Sequence, residues 1–289
     1  MALTTKLLVV LGTRPEAIKL APVIRELRGR PGARTCVCLT GQHRDMVSTI
    51  LSFFEIDADV NLGLMQPNQS LSGLASRALA GLDEIIGDFS PDWTIVQGDT
   101  TTAFAAALAS FHRRVKVAHV EAGLRSFDRS KPFPEEVNRV MTAAVTDLHF
   151  CPTAGARENL LAERVPRERI QVVGNTVIDA LHLTLERLRG GDLAARSLAA
   201  SFPGFHLERP FVLVTGHAAK ASDGRSRTSV WPSGRSPKPR ISSSSIRCIS
   251  IRTCAGPCSR SFEVCPTSIS ANRWDIPSSF GWRSAVASF

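Results

Sequence analysis

Short apolar runs alternate with amphipathic helical patterns along the first 217 residues of the chain. The opening run, residues 7–11, has the length of a buried parallel strand, and a Gly12-Thr13-Arg14 turn leads from it into a helix. The same patterns predict strands at 7–11, 34–40, 93–96, 115–120, 170–173 and 211–214, and helices at 14–27, 46–54, 71–88, 100–111, 135–148 and 177–188. Strands that alternate with helices through short loops predict an α/β fold with a doubly wound parallel sheet.

Polar residues follow several of these strands within a few positions. In a doubly wound sheet, ligands bind beyond the carboxyl ends of the strands, so these residues are expected to lie on one rim. They are Arg14, Gln42, Asp99, Glu121 and His217. Each one alone is typical of a helix cap or a solvated loop, but five on one rim favour a binding site. No GxGxxG follows a strand and no Walker motif occurs, so neither kind of nucleotide site is predicted.

The start of the first helix is a candidate anion site. Pro15 suits the first helical position, and the free N–H groups of this end lie near Arg14 and Lys19. Such an end attracts a diphosphate or a similar anion. The alternative is an ordinary surface helix, with an exposed arginine and a lysine whose stem covers apolar surface.

Composition indicates a globular protein with an uneven charge distribution. The 289 residues, 43% apolar, can form one large domain or two of ordinary size. No early apolar run has the length of a bilayer span and none precedes a cleavage site, so we expect a cytoplasmic protein. The net charge of +9 includes +8 from residues 220–289, eleven basic against three acidic, which leaves +1 elsewhere. A nucleic-acid partner is therefore not expected.

Seven ordered stretches resemble the non-hydrolysing UDP-N-acetylglucosamine 2-epimerases. They are GTRPEAIKLAPVI (12–24), TGQHRDM (40–46), GDTTTAFAAALA (98–109), HVEAGLRS (119–126), PFPEEVNR (132–139), GNTVIDAL (174–181) and VTGH (214–217). The resemblance implies two Rossmann-like domains with the site in the cleft between them, as in GT-B glycosyltransferases. It implies an isomerase that interconverts UDP-N-acetylglucosamine and UDP-N-acetylmannosamine, acts as a homodimer and needs no cofactor or metal.

The resemblance also implies a reaction. The C2 hydrogen of the sugar is not adjacent to a carbonyl, and no nicotinamide site is predicted, so the implied route is elimination of UDP to 2-acetamidoglucal followed by re-addition. Such a reaction needs carboxylates for proton transfer and cations for the diphosphate. The residues that match the family's acids are Asp99, Glu121 and Glu135, those that match its diphosphate contacts are Arg14, Lys19 and His217, and those that resemble its regulatory contacts are Gln42 and His43.

Two questions about this assignment stay open. Glu135 also suits the start of a helix beside Glu136, where an acid stabilises the helix dipole. The chain could instead be another UDP-sugar enzyme of GT-B architecture, or a non-catalytic remnant that binds a UDP-sugar. Residues 1–180 are expected to form the first domain, and residues 181–217 the linker and first strand of the second.

The sequence changes character after His217. Residues 218–289 contain no leucine and 18 serines among 72 residues, with neither helical nor strand periodicity. Four cysteines lie there, without a histidine or a CxxC pair, so no metal site is predicted. If the reading frame slips by one base, the codons after His217 permit RRESFGR, as the family resemblance predicts, and residues 245–258 and 281–288 also become family-like. We therefore expect an out-of-frame, disordered tail, a largely missing second domain and an inactive chain.

Overall fold

A computed structural model describes residues 4–41, 44–66, 68–190, 211–217, 247–253 and 263–265. The described residues between 4 and 190 belong to the first of two compact units, and the strands after residue 210 belong to the second. None of the helices in the described ranges has the length and apolar character needed to span a membrane.

The first unit contains a seven-stranded parallel sheet. Its strands are β1 (Thr5–Leu11), β2 (Ala33–Leu39), β3 (Val60–Asn61), β4 (Trp93–Gln97), β5 (Lys116–Val120), β6 (Leu148–Cys151) and β7 (Ile170–Val172). They are arranged in the order β3-β2-β1-β4-β5-β6-β7. The chain therefore runs outward from β1 to one edge, returns beside β1, and continues to the other edge. This arrangement confirms the predicted doubly wound α/β fold and creates a switch point between β1 and β4.

Helices cover both faces of the sheet. They are α1 (Arg14–Arg28), α2 (Arg44–Phe53), α3 (Leu71–Phe89), α4 (Thr101–His112), α5 (Glu135–Ala144), α6 (Ala154–Ala162) and α7 (Thr176–Arg189), with a short 3-10 turn at Arg167–Arg169. Alternate residues of β1 face opposite sides: Val9 belongs to the apolar cluster that includes Ile24 of α1, whereas Leu8 belongs to the cluster that includes Leu82 of α3. Both faces of the sheet are buried, and this explains why its strands are continuous apolar runs.

The structure corrects the predicted boundaries in three places. The helix predicted at 135–148 ends at Ala144, and Leu148–Cys151 forms the fully buried strand β6. A continuous apolar segment does not by itself distinguish the end of a helix from a short buried strand. Strand β3 has only two residues, and α6 has a weak apolar periodicity, so the sequence predicted neither of them.

The second unit contains a three-stranded sheet. Strand β8 (Phe211–His217) pairs in parallel with β9 (Arg247–Thr253), which pairs antiparallel with β10 (Glu263–Cys265). Strand β8 confirms the strand predicted at 211–214 and extends it by three residues. Strands β9 and β10 correct the expectation that no strand persists after residue 217. In β9, Ile249 and Ile251 alternate with Ser250 and Arg252, which is a strand period that the serine-rich composition obscured.

Two buried histidines lie side by side in the first sheet. His119 of β5 and His149 of β6 are register partners, with side chains 1% and 0% exposed. The Nε2 atom of His119 lies 2.7 Å from the carbonyl oxygen of Gly98, which joins β5 to the turn after β4. Burial lowers the pKa of His119 to about 4. Burial, reinforced by His119, lowers the pKa of His149 to about 3.

These histidines predict a loss of stability in acid. Their folded pKa values lie below the ordinary 6.5, so below pH 6.5 the unfolded chain binds more protons than the folded one. The stability is complete above about pH 6.5 and falls as the pH decreases toward 4, by up to about 1.4 kcal/mol per pH unit for each histidine. We expect His149→Leu to flatten this slope in urea unfolding curves measured from pH 7.5 to pH 4.5. An unchanged slope in the variant would contradict the assignment.

Candidate active site

A cavity of about 170 Å³ opens at the carboxyl edge of the sheet, at the switch point between β1 and β4. The starts of α1 and α4, the end of β5 and one side chain of α5 line it. The polar side chains concerned are Thr13, Glu16, Lys19, Gln97, Asp99, Thr100, Glu121 and Arg139. Residues from distant parts of the chain meet here because parallel strands end at the same edge.

Glu121 is held by two side chains from neighbouring elements. The Nζ atom of Lys19 lies 2.5 Å from its Oε2 atom, and the side-chain amide of Gln97 donates to the same oxygen. Glu121 also has a φ of 65°, in the left-handed region that few residues other than glycine adopt. Strain of this kind persists only where the surrounding structure enforces it, and it occurs often at functional sites. The carboxylate is therefore fixed in one orientation at the cavity wall.

Asp99 is held from helix α5. The guanidinium of Arg139 donates to its carboxylate, and the side-chain amide of Asn138 donates to its backbone carbonyl over 2.9 Å. Arg139 also lies 3.3 Å from the carboxylate of Glu136. Asp99 and Glu121 thus enter the same cavity, and each is paired with a cation from a different helix.

Glu16 bonds to the two loops that flank the switch point. Its Oε2 atom accepts hydrogen bonds from the N–H groups of Gly12 and Thr13, over 2.8 and 2.6 Å, and its Oε1 atom accepts one from the hydroxyl of Thr100 over 2.7 Å. Burial raises the pKa of Glu16, although these hydrogen bonds oppose the shift. The N–H groups of the two residues directly before α1 are therefore already used. An anion at this end would depend mainly on the exposed side chain of Arg14 and on Lys19.

The adjacent acids Glu135 and Glu136 have different surroundings. Glu136 is 3% exposed and accepts hydrogen bonds from the N–H groups of Ser126 and Phe127, each over 3.0 Å. Burial favours its neutral form, but these hydrogen bonds and Arg139 outweigh that effect and lower the pKa of Glu136. Glu135 is half-buried and absent from the cavity wall, and its Oε2 atom has no hydrogen-bond partner among the described residues.

The predicted site residues fall into three groups. Lys19, Asp99 and Glu121 line the cavity, whereas Arg14 is exposed at the start of α1 and Glu135 at the start of α5 does not line it. His217 ends β8 in the second unit, and Gln42 and His43 lie outside the described residues. Within the described ranges, no three histidine, cysteine, aspartate or glutamate side chains are grouped as a metal site requires.

Sequence reasoning missed Glu16, Gln97 and Arg139. The spacing of Thr13 and Glu16 is that of a capping box, so a signal for a structural role of Glu16 was present. Gln97 ends β4 directly before the turn, and a polar residue at the carboxyl end of a buried strand indicates the rim. Arg139 is the last residue of the PFPEEVNR stretch, and its pairing with Asp99 depends on how α5 lies across the rim.

The contrast between the two acids of α5 is testable by substitution. We expect Glu136→Gln to lower the free energy of unfolding by about 1–3 kcal/mol, because it weakens charge-assisted hydrogen bonds to a buried group. The matched control is Glu135→Gln in the same helical turn, for which we expect a change of less than about 1 kcal/mol. Urea unfolding at pH 7.5 measures both, and equal losses would contradict the anchoring role of Glu136.

A family model, a related sequence and a solved structure that match this chain all belong to the same family. The family model for UDP-N-acetylglucosamine 2-epimerase matches residues 25–231. A UDP-N-acetylglucosamine 2-epimerase of Salmonella typhimurium is 47% identical over 212 residues, which are 73% of this chain and 56% of that protein. The structure of UDP-GlcNAc 2-epimerase from Neisseria meningitidis bound to UDP-GlcNAc has a TM-score of 0.70 and 44% identity, over 75% of this chain and 58% of that one.

A more distant structure has the same fold. UDP-GlcNAc 2-epimerase of Methanocaldococcus jannaschii, solved in complex with UDP-GlcNAc and UDP, has a TM-score of 0.66 and 33% identity, over 74% of this chain and 57% of that one. The chain thus spans somewhat more than half the length of the relatives it matches. On the strength of the family match and the shared fold, the chain belongs to the UDP-N-acetylglucosamine 2-epimerase family, a family of isomerases.

Proposed function

We propose that the cavity at the switch point binds UDP-N-acetylglucosamine, and that the intact protein interconverts UDP-N-acetylglucosamine and UDP-N-acetylmannosamine. The observation that carries this proposal is the convergence of Asp99 and Glu121 on one cavity, each held by its own cation. Proton transfer at a sugar carbon needs oriented carboxylates, and a leaving diphosphate needs nearby positive charge. Lys19 supplies that charge next to Glu121, and Arg14 is free to supply more at the start of α1.

The proposed reaction has two halves. A carboxylate removes the proton from C2 while the C1–O bond breaks, and the electron pair of the C2–H bond forms the C1–C2 double bond of 2-acetamidoglucal. UDP leaves with the electrons of the C1–O bond. In the second half the UDP oxygen adds back to C1 and C2 receives a proton on the opposite face. Asp99, Glu121 and Glu135 are the proposed acids and bases, and Arg14, Lys19 and His217 the proposed contacts of UDP.

The wider proposal concerns the whole protein. Gln42 and His43 are the proposed regulatory contacts, and the intact protein is proposed to be a cytoplasmic homodimer without a nucleic-acid partner. The charge distribution supports the absence of a nucleic-acid partner, because +8 of the net charge of +9 lies in residues 220–289. A second candidate is a non-catalytic UDP-sugar-binding remnant. It is favoured by the position of the cavity, whose wall comes entirely from residues 13–139.

We expect UDP to bind through its diphosphate at the start of α1. Arg14→Ala is expected to weaken UDP binding tenfold or more, since one charge-assisted hydrogen bond contributes about 1.5–3 kcal/mol. The matched control is Arg25→Ala, an exposed arginine near the other end of the same helix, which we expect to leave the affinity unchanged. Titration followed by ¹H–¹⁵N NMR detects millimolar affinity and verifies folding. Equal losses in the two variants, or none in Arg14→Ala, would contradict the assignment.

The domain proposal retains the boundaries inferred from the sequence. Residues 1–180 are the proposed first domain, residues 181–217 the linker and first strand of the second, and residues 218–289 the product of a shifted frame. The family match extends to residue 231, 14 residues beyond the proposed frame shift, and leaves residues 232–289 unmatched, so its support concerns residues 232–289 alone. A frame shift that replaces the rest of the second domain would make this chain inactive.

Restoring one base tests both the frame and the reaction. We expect the gene with a single cytosine added directly after codon 217 to encode an active epimerase. We expect the 289-residue chain to form no UDP-N-acetylmannosamine. Asp99→Asn in the restored protein is the control, with an expected loss of about 100-fold or more in kcat. Nucleotide-sugar chromatography measures the conversion. The proposal is refuted if the 289-residue chain turns over the substrate or if the restored protein does not.

A further inference from the structure

The strands that flank the cavity diverge at its floor. The paired register of β1 and β4 ends at Val9 and Ile95, short of the turns that carry the site residues. A crevice at a switch point requires this divergence, because neighbouring loops there turn away to opposite faces of the sheet. The distance between the two turns therefore depends on contacts other than the strand ladder.

We propose that Glu16 is a positioning residue, which holds the β1–α1 turn and the β4–α4 turn at the separation that a UDP-sugar requires. This inference rests on the function proposed for the same cavity. It concerns a residue that does not carry out proton transfer and that the sequence did not place among the site residues.

The hydrogen bonds of Glu16 link the two turns directly. One carboxylate oxygen accepts from the N–H groups of Gly12 and Thr13, and the other accepts from the hydroxyl of Thr100, 84 positions away in the chain. The Thr100 hydroxyl in turn accepts from the N–H group of Ala103 over 3.0 Å and so caps helix α4. A single side chain thus joins the starts of two helices.

The surroundings of Glu16 make the link rigid. The residue is 2% exposed, so water cannot readily replace its hydrogen bonds. In such an environment a satisfied hydrogen bond is strong, and an unsatisfied partner is costly. The turn that Glu16 holds on one side leads to Arg14 and Lys19, and the turn on the other side carries Asp99. A change in their separation would therefore shift the diphosphate contacts relative to the acid.

Helix capping alone does not explain this arrangement. A serine or threonine at the cap satisfies the start of one helix, as Thr153 does for α6 through the N–H group of Ala156. Glu16 accepts from the N–H groups directly before α1 and also from the hydroxyl of Thr100, in the turn that follows the neighbouring strand β4. A positioning role therefore predicts that Glu16 and Thr100 are coupled in ligand binding as well as in stability.

The experiment is a double-mutant cycle on UDP binding. Glu16→Ala, Thr100→Val and the double variant are prepared in the full 289-residue chain and titrated with UDP by ¹H–¹⁵N NMR. We expect each single variant to weaken binding about tenfold and the double variant to be no weaker than the worse single one, as for a coupled pair. In Glu16→Gln the amide oxygen can accept from Gly12 and Thr13 while the NH2 group donates to the Thr100 hydroxyl, and Thr100→Ser keeps the hydroxyl. Both variants are expected to bind UDP within about threefold of the wild type.

Thr153→Val is the matched control for the loss of a cap. It removes a similar hydrogen bond at α6, outside the cavity wall, and is expected to lower stability without changing the affinity for UDP. If Glu16→Ala does not fold, the UDP affinities of Thr100→Val and Glu16→Gln are compared instead. Wild-type affinity in a folded Thr100→Val, or additive losses in the double variant, would overturn the positioning role and leave the proposed function intact. If the wild-type chain does not bind UDP, the positioning role and the proposed UDP site of this chain both fail, whereas the reaction of the intact protein is tested separately by the restored frame.

Discussion

The divergence of strands β1 and β4 at the carboxyl edge is the constraint on which the site depends. It opens the cavity, and it also removes the backbone pairing that would otherwise fix the loops around it. Hydrogen bonds between side chains must then hold the loops in place of the backbone pairing. Glu16 does so between the two central turns, and Gln97 and Lys19 do so for Glu121, so the cavity is a gap in the sheet whose walls are joined by hydrogen bonds between side chains.

Internal carboxylates occupy two places at the rim where backbone N–H groups converge. Glu16 receives the N–H groups of Gly12 and Thr13, and Glu136 receives those of Ser126 and Phe127. Converging N–H groups of this kind make concave anion sites when they are free. Here they are filled from within the protein, so each serves to fix a loop. The attraction for an external anion then depends on side chains with a full positive charge.

Much of the fold could be predicted from the sequence, because burial on both faces makes each long central strand a continuous apolar run. Strand β6 was not predicted because His149 interrupts its apolar run and because only three residues separate it from the end of α5. The site was harder to predict. Its acids could be placed at the rim, but the pairs Lys19–Glu121 and Arg139–Asp99 join residues 102 and 40 positions apart. Such pairs depend on helix placement, which local patterns do not determine.

The proposed diphosphate site and one of the proposed acids share a single charge, because Lys19 pairs with Glu121. Both side chains are largely buried, 22% and 14% exposed, so their charges are weakly screened. A diphosphate bound beside Lys19, as proposed, would compete with Glu121 for the same ammonium group. If the ammonium turned toward the diphosphate, Glu121 would keep the amide of Gln97 and stay oriented at the cavity wall. Lys19 would thus orient the carboxylate before the ligand binds, and Gln97 would orient it afterwards.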